Sequence, residues 1–366
     1  MQDEDLRHSP LEEVHRALGA KLGPFGGWLM PIEYEGVLSE HRAVRERVGL
    51  FDLSHLGKLD VLGPTAFDAL QGLLTNDLRK VQVGRAQYHH LLNQEGGVEE
   101  DLFVYRLADA RWFVVPNASN TTKVLDAVRA AAGPEAVVEH ADWCFLGVQG
   151  PGSAEVVGSL WPEAGELAYL SATVVRHAGR EVVLARTGYT GERGYEVFAP
   201  GELAADLWER LTAAGEPHGL EPCGLGARDV LRLEMGYPLY GQDLVPDRTS
   251  LEAGMGWAVS LDKEGFRGRE ALVRQRERGL PSRLRGLVTS GRRDIPRAHQ
   301  AVFAGDERVG EVTSGTFSPT LGAGIAMAYL SPADAFEEGS EVEIDIRGRR
   351  AGARVVTPPF VDRSPR

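Results

Sequence analysis

The groups in this chain best suited to chemistry are carboxylates set beside glycines and aromatic residues. In Gly96-Gly97-Val98-Glu99-Glu100-Asp101-Leu102, three acids follow a paired glycine and run into apolar Leu102 and Phe103. The glycines permit a tight hairpin and a close approach to the backbone by another molecule's flat surface. Successive strand residues point to opposite faces, so alternation turns either Glu100 or the pair Glu99 and Asp101 inward. An inward carboxylate is costly without a partner or a task; a solvated hairpin tip is the plain alternative. The second candidate is Gly188-Tyr189-Thr190-Gly191-Glu192-Arg193-Gly194-Tyr195-Glu196-Val197-Phe198, again a glycine-punctuated turn entering an alternating strand. There Glu196 shares a face with Phe198, and its carboxylate either accepts two N–H donors from a planar amidine-like ring or closes a cross-strand salt bridge. Arg228-Asp229 reads as a local ion pair or as a charge held for an anionic ligand tail.

Several other chemistries lose support. There is no GxGxxG after a strand, no GxxxxGK[ST] and no GxSxG, and the 10 histidines never take the HExxH arrangement. His89 and His90 are adjacent, so on a strand their rings point to opposite faces and cannot share a metal; no metal site is expected. The 2 cysteines, Cys144 and Cys223, lack CxxC spacing, which leaves no disulfide framework or zinc site and fits a reducing cytosol. Lys+Arg 40 against Asp+Glu 53 gives a net charge of -13, which disfavours a phosphate-tracking nucleic-acid protein. No stretch approaches the roughly 18 consecutive apolar residues of a membrane span, and Met1-Gln2-Asp3-Glu4-Asp5 lacks the order of a secretory signal. A cytoplasmic protein without membrane or nucleic-acid partners is expected.

These groups must be positioned by a chain of 366 residues, 43% hydrophobic and 25% charged, which suits two or three globular domains. Gly 44 and Pro 20 point to many turns and β-structure. Apolar spacing predicts helices over 11–22, 36–48, 66–74, 201–213 and 224–235. Lys58 to Leu62 alternates as a strand, and strands on either side of Gln94–Gly97, with Trp112 to Val115, make an antiparallel meander. Further strands are expected at 145–148, 172–175 and 181–184, an α+β pattern rather than βαβ. Asp52-Leu53-Ser54-His55 reads as a corner in which Asp52 and Ser54 satisfy backbone groups and His55 packs. The charged stretch Leu261 to Arg278 reads as a linker. Short strands at 285–288, 301–303, 308–312 and 341–346 then form a small barrel, with Thr313-Ser314-Gly315 as a turn in it.

The order of motifs resembles one family closely. Gly49-Leu50-Phe51-Asp52-Leu53-Ser54-His55, Tyr88 ahead of Asn93-Gln94-Glu95-Gly96-Gly97 and Asp101, and Val115-Pro116-Asn117-Ala118-Ser119-Asn120 come first. Thr187 to Glu192, Gly194-Tyr195-Glu196, Gly226-Ala227-Arg228-Asp229 with Leu231 to Glu234, Trp257, and Val312 to Gly315 with Ser318-Pro319 follow. Each is weak alone, but together, from about Leu11 to Phe360, they resemble the T-protein of the glycine cleavage system, the tetrahydrofolate-dependent aminomethyltransferase family. The resemblance implies an α+β, three-domain, cloverleaf-like fold with folate at its centre. Residues 1–270 would hold two interleaved α+β subdomains, and residues 271–366 a C-terminal β-barrel. It implies transfer of an aminomethyl carbon from the dihydrolipoyl arm of H-protein to tetrahydrofolate, with release of ammonia and formation of 5,10-methylenetetrahydrofolate. It maps the catalytic acid onto Asp101, the pterin-binding glutamate onto Glu196 and a folate-contacting arginine onto Arg228. Tyr88, Asn117 and Trp257 match pocket-lining positions, and Leu56 stands there where a methionine is common.

The departures cluster near that pocket. Glu99-Glu100-Asp101 replaces an apolar residue and two aspartates, His89 and His90 replace smaller or apolar residues, and Arg193 stands where an acid is frequent. They leave the one-carbon donor open, so a folate-dependent demethylase of a small methylated amine, ether or sulfonium compound is the alternative enzyme. A non-catalytic folate-binding protein of iron–sulfur assembly or RNA modification is the third reading; Thr187 to Glu192 lacks the cysteine of the KGCYxGQE-like motif such relatives carry. Arg283, Arg285, Arg292, Arg293 and Arg297 form the densest positive run, either a docking patch for an acidic carrier or a guard on a strand edge.

Overall fold

The computed structural model describes residues 6–365; the opening Met1–Asp5 reading lies outside the described residues. The expected meander is present. Strands Arg85–Leu92, Val98–Ala108 and Arg111–Pro116 pair antiparallel in that order, and the sheet continues through Leu59–Leu62 to Val137–Glu139. Helices Ala66–Leu73 and Thr121–Ala132 cover one of its faces, burying Leu70, Val104, Trp112 and Val128 in one cluster. At the hairpin Gly96 has φ 84, which the turn requires. A Cβ on Gly97 would lie 1.7 Å from the Pro246 carbonyl oxygen, and one on Gly96 2.9 Å from the Leu272 side chain. The close approach that these glycines permit is therefore made by the chain itself, not by another molecule.

A second sheet runs in the order Ala172–His177, Arg180–Ala185, Gly194–Ala199, Cys144–Gln149, Val48–Asp52, Leu220–Cys223. Its last pair is parallel, the rest antiparallel. Helices Ser153–Leu160 and Ala204–Gly215 back it through a core that includes Leu50, Leu146, Val197 and Trp208. Because both sheets carry their helices on the outside, their other faces meet. Phe51, Phe145 and Phe198 of the second sheet pack with Tyr105 and Phe113 of the first, Phe113 meeting Phe198 edge-on at 5.1 Å between ring centroids. Such pairs add to area burial by about 0.5–1.5 kcal/mol.

The third unit is a closed barrel of six strands, ordered Arg283–Thr289, Ala323–Leu330, Glu307–Ser318, Ala301–Ala304, Glu341–Ile346, Arg349–Val356. Two α+β halves and a barrel give the three-part architecture expected, with four local corrections. The first helix is only Glu12–Ala17; the chain turns at Gly19 (φ 73), and Leu22 lies on strand Lys21–Phe25. Leu261 to Arg278 is not a plain linker, since Arg269–Arg278 is a helix with Leu272 fully buried. Thr313-Ser314-Gly315 is not a turn but lies within strand Glu307–Ser318, at a register shift. Strand Ala323–Leu330 was not expected because it is apolar on both faces: Ala326, Ala328 and Leu330 fill the barrel, while Ile325, Met327 and Tyr329 face the rest of the molecule. Among the described residues no helix is long and apolar enough to cross a membrane.

Candidate functional site

Between the two facing sheets opens a cavity of about 370 Å³, closed on one side by Pro238–Gln242. Asp101, Tyr88, Asn117, Leu56, Glu196 and Arg228 all line it. Trp257, expected there as well, does not. It is 64% exposed and stacks on the Tyr88 ring, with 5.4 Å between centroids.

Both faces of the Val98–Ala108 strand are covered, so Glu100 and the pair Glu99 and Asp101 are not alternatives and the segment is not a solvated tip. Leu102 and Val104 follow Glu100 into the helix-backed core, while Asp101, Phe103 and Tyr105 face the cavity. Glu99 pairs with Arg267. The Glu100 carboxylate accepts the Asn117 backbone N–H at 2.6 Å, the Asn117 side-chain amide at 2.8 Å and the Asn120 amide. The Asp101 carboxylate accepts the Tyr88 hydroxyl at 2.7 Å on Oδ2 and the Asn117 amide at 2.9 Å on Oδ1. Asn117 thus bridges two neighbouring acids. Burial pushes both carboxyls above their ordinary range, and for Asp101 the Tyr88 and Asn117 bonds pull part of the way back.

Glu196 comes from strand Gly194–Ala199 and, as alternation required, shares the cavity side with Phe198, while Tyr195 and Val197 enter the helix-backed core. Its Oε2 accepts the Tyr105 hydroxyl at 3.2 Å and the Thr187 hydroxyl. Among the described residues no cation forms an ion pair with it and no donor reaches Oε1, which sets the cross-strand salt bridge aside. Burial raises its carboxyl; the Thr187 bond and the Arg228 charge act the other way. Arg228, on helix Leu225–Glu234, lies 4.7 Å over the Tyr189 ring, and burial lowers its pKa. The proposed Arg228–Asp229 pair does not form: Asp229 binds Arg232 at 2.7 Å, three residues along the helix, where side chains meet, whereas adjacent ones diverge.

The Asp52 corner forms as expected, Asp52 Oδ1 accepting the Ser54 N–H at 2.9 Å. His55 does more than pack. It lines the cavity, its Nδ1 is buried without a partner, and burial together with Arg228 holds its pKa near about 3, so the ring is neutral. Tyr189, in the candidate turn, also lines the cavity, as do Phe25 and the 238–242 segment, to which the sequence reading gives no role; the run Tyr237-Pro238-Leu239-Tyr240-Gly241, aromatic and turn-forming directly after a helix, is the available signal. His89 and His90 are both fully buried away from the cavity wall. His90 Nδ1 lies 2.7 Å from the Ser250 hydroxyl, and His89 Nδ1 accepts the Asn76 N–H at 3.3 Å. Among the described residues no group of three metal-binding side chains converges.

An aromatic-walled slot in which, among the described residues, one carboxylate oxygen is open, a second carboxylate is held by donors and a guanidinium lacks an acid partner suits a flat ligand with paired N–H donors and an anionic tail. Residues 11–263 match the family model described as the GCVT N-terminal domain, and residues 283–362 match the glycine cleavage T-protein C-terminal barrel domain. The chain is 50% identical to an aminomethyltransferase of Frankia alni, covering 99% of this chain and 100% of that protein. It is 47% identical to an aminomethyltransferase of Mycolicibacterium paratuberculosis, covering 98% and 97%. A crystal structure of the glycine cleavage system aminomethyltransferase T from Bartonella henselae superposes with a TM-score of 0.92 at 35% identity, covering 98% of this chain and 99% of that one. The chain belongs to the glycine cleavage T-protein family of aminomethyltransferases.

Proposed function

We propose that this chain is the tetrahydrofolate-dependent aminomethyltransferase of the glycine cleavage system. It takes the one-carbon unit of an aminomethyl group carried on the dihydrolipoyl arm of H-protein, releases ammonia and yields 5,10-methylenetetrahydrofolate. One observation carries the reading above the rest: Asp101, half-buried, and Glu196, buried, line the same aromatic-walled cavity, and among the described residues neither has an ion-pair partner. The donor set fits tetrahydrofolate, which would supply the two nitrogens that accept the carbon. Glu196 would receive the pterin's amino group and ring N–H, Oε1 being open and Oε2 held by Tyr105 and Thr187. Arg228, which among the described residues has no acid partner of its own, would meet the carboxylate-bearing side. Leu56, Tyr88 and Asn117 would complete the wall, Tyr88 with its flat face.

Asp101 does the chemistry in this account. As the bond to ammonia lengthens, positive charge gathers on the transferred carbon, and a carboxylate in a water-poor cavity stabilises it far better than solvent does. The same carboxylate takes the proton given up by the attacking nitrogen, a contribution of about 10²–10⁴-fold in rate. Tyr88 and Asn117 hold its oxygens so that no reorientation is needed during the reaction.

The partner is lipoylated H-protein, and the compartment is the cytoplasm, in keeping with Cys144 and Cys223 both being free and buried. Arg292, Arg293 and Arg297 are exposed on the barrel and remain our candidates for carrier docking. No specific observation favours the demethylase or the non-catalytic reading. The test supplies purified protein with tetrahydrofolate and either aminomethylated H-protein or a panel of methylated amines, ethers and sulfonium compounds, and follows methylenetetrahydrofolate. Product from the H-protein arm alone is expected. Product from a small donor and none from H-protein would replace this reading with the demethylase.

A further inference from the structure

We infer that Asp243 is a positioning residue for this reaction, its buried carboxylate binding the cavity-wall segment Pro238–Gln242 at once to the Arg228-bearing helix and to the C-terminal barrel. The inference rests on the site as read above. Asp243 does not line the cavity and is fully buried, while the five residues before it all line the cavity. Its Oδ2 accepts the Leu239 backbone N–H at 2.9 Å, fixing the fold of the wall segment itself. The same oxygen accepts Arg232 Nη1 at 2.7 Å. Arg232 lies four residues after Arg228 on helix Leu225–Glu234, on the same side of that helix. From the barrel, the Ser314 hydroxyl lies 2.8 Å from Oδ2, and the Thr313 hydroxyl donates to Oδ1. Tyr329 donates to the Asp243 carbonyl at 2.8 Å.

The barrel contacts need a local departure from regular strand geometry. Consecutive residues of a regular strand point to opposite faces, so Thr313 and Ser314 should not both reach one carboxylate. They do because the pairing of Glu307–Ser318 with Ala323–Leu330 slips between Val312 and Ser314. Such irregularities re-aim side chains and gather near active sites. The barrel, which contributes no described residue to the cavity lining, thereby sets the position of one of its walls.

Asp243 also acts on the reacting acid through its charge. The groups that act on Asp101 are Tyr88 and Asn117, which donate to it, and, electrostatically, its neighbour Glu100, Tyr189 from the 188–192 turn, and Asp243. Arg232 stands beside Asp243 as its counter-charge. The negative charge of Asp243 is one of the influences that hold the Asp101 carboxyl up.

The test compares the full-length wild type, Asp243→Asn, and the paired Thr313→Val/Ser314→Ala variant. Tetrahydrofolate affinity is measured by fluorescence titration, together with KM, kcat and the pH profile of turnover. Asp243→Asn should weaken tetrahydrofolate binding by about tenfold, in line with loss of a buried charged hydrogen-bond network, and should move the acid limb of kcat to lower pH. The paired variant keeps the charge, so it should weaken binding severalfold with the acid limb in place. Lower thermal stability in Asp243→Asn with affinity and acid limb unmoved would leave Asp243 a mere structural staple and overturn the proposal. If Asp243→Asn does not fold, wild-type affinity in the paired variant overturns it instead. A wild-type protein that binds no tetrahydrofolate overturns the folate reading itself, and this inference with it.

Discussion

Two sheets deliver one carboxylate each to the same cavity, and the two acids are dressed differently. Asp101, from the five-stranded sheet, has both oxygens occupied by donors, the Tyr88 hydroxyl and the Asn117 amide. Glu196, from the six-stranded sheet, has donors on Oε2 alone among the described residues. Burial raises both, so neither is an idle surface charge. The difference separates two tasks. A carboxylate fixed at both oxygens presents its charge in one orientation and suits a developing cation, whereas one with an open oxygen has capacity left for a ligand's N–H. Glu100 marks the contrast from the other side: adjacent to Asp101 and more fully hydrogen-bonded, it faces away from the cavity and serves the fold.

The largest effect that can break this comparison is at Asp101. Asp101→Asn should lower turnover by about 10²–10⁴-fold while tetrahydrofolate affinity stays within about threefold, since proton handling is lost and ring binding is not. Next is Glu196→Ala, which removes a hydrogen bond to a charged group worth about 1.5–3 kcal/mol and should weaken tetrahydrofolate by roughly ten- to a hundredfold in a binding titration. Tyr88→Phe sharpens the first half. The Tyr88 bond holds the Asp101 carboxyl down, so its loss should move the acid limb of turnover to higher pH and slow the reaction severalfold near neutrality.

Glu196→Gln tests the electrostatic half through stability. Because burial raises the Glu196 carboxyl, the folded protein holds that proton more tightly than the unfolded chain. Stability is therefore lost as pH rises from the ordinary carboxylate range through the raised value. The melting temperature of Glu196→Gln relative to wild type should climb across that window, by a few degrees at most. A flat difference would mean that Glu196 is not raised. The smallest effect is at Trp257: standing outside the wall and stacked on Tyr88, its replacement by Ala should change tetrahydrofolate affinity by no more than about threefold, the loss of one partly exposed aromatic contact.

Much of the site could be read from residue order, and what could not has physical causes. Period-2 alternation put Glu196 beside Phe198 and, near residue 100, left an inward Glu100, an inward pair Glu99 and Asp101, or a solvated hairpin tip. It could not show that both faces of Val98–Ala108 are covered, so Glu100 and the pair Glu99 and Asp101 looked like alternatives, whereas Glu100 is buried in the core and Asp101 turns to the cavity wall. Asn117, matched only as a wall residue, also holds the two acids in place, a long-range contact that spacing does not reveal. Thr313-Ser314-Gly315 looked like a turn because small polar residues favour one, yet an irregular strand pairing employs the same residues to reach Asp243. Strand Ala323–Leu330 and helix Arg269–Arg278 were missed for opposite reasons. The strand is apolar on both faces and shows no alternation, while the helix is so charged that Leu272 alone is fully buried.

The division of labour between the two acids is tested most directly by a parallel determination of tetrahydrofolate affinity and of kcat at saturating tetrahydrofolate for Asp101→Asn and Glu196→Ala. A clean split is expected: the aspartate variant binds as the wild type does and does not turn over, while the glutamate variant binds weakly but, once saturated, still forms product. An aspartate variant that loses binding as severely as the glutamate variant, or a glutamate variant with undiminished affinity, would contradict it.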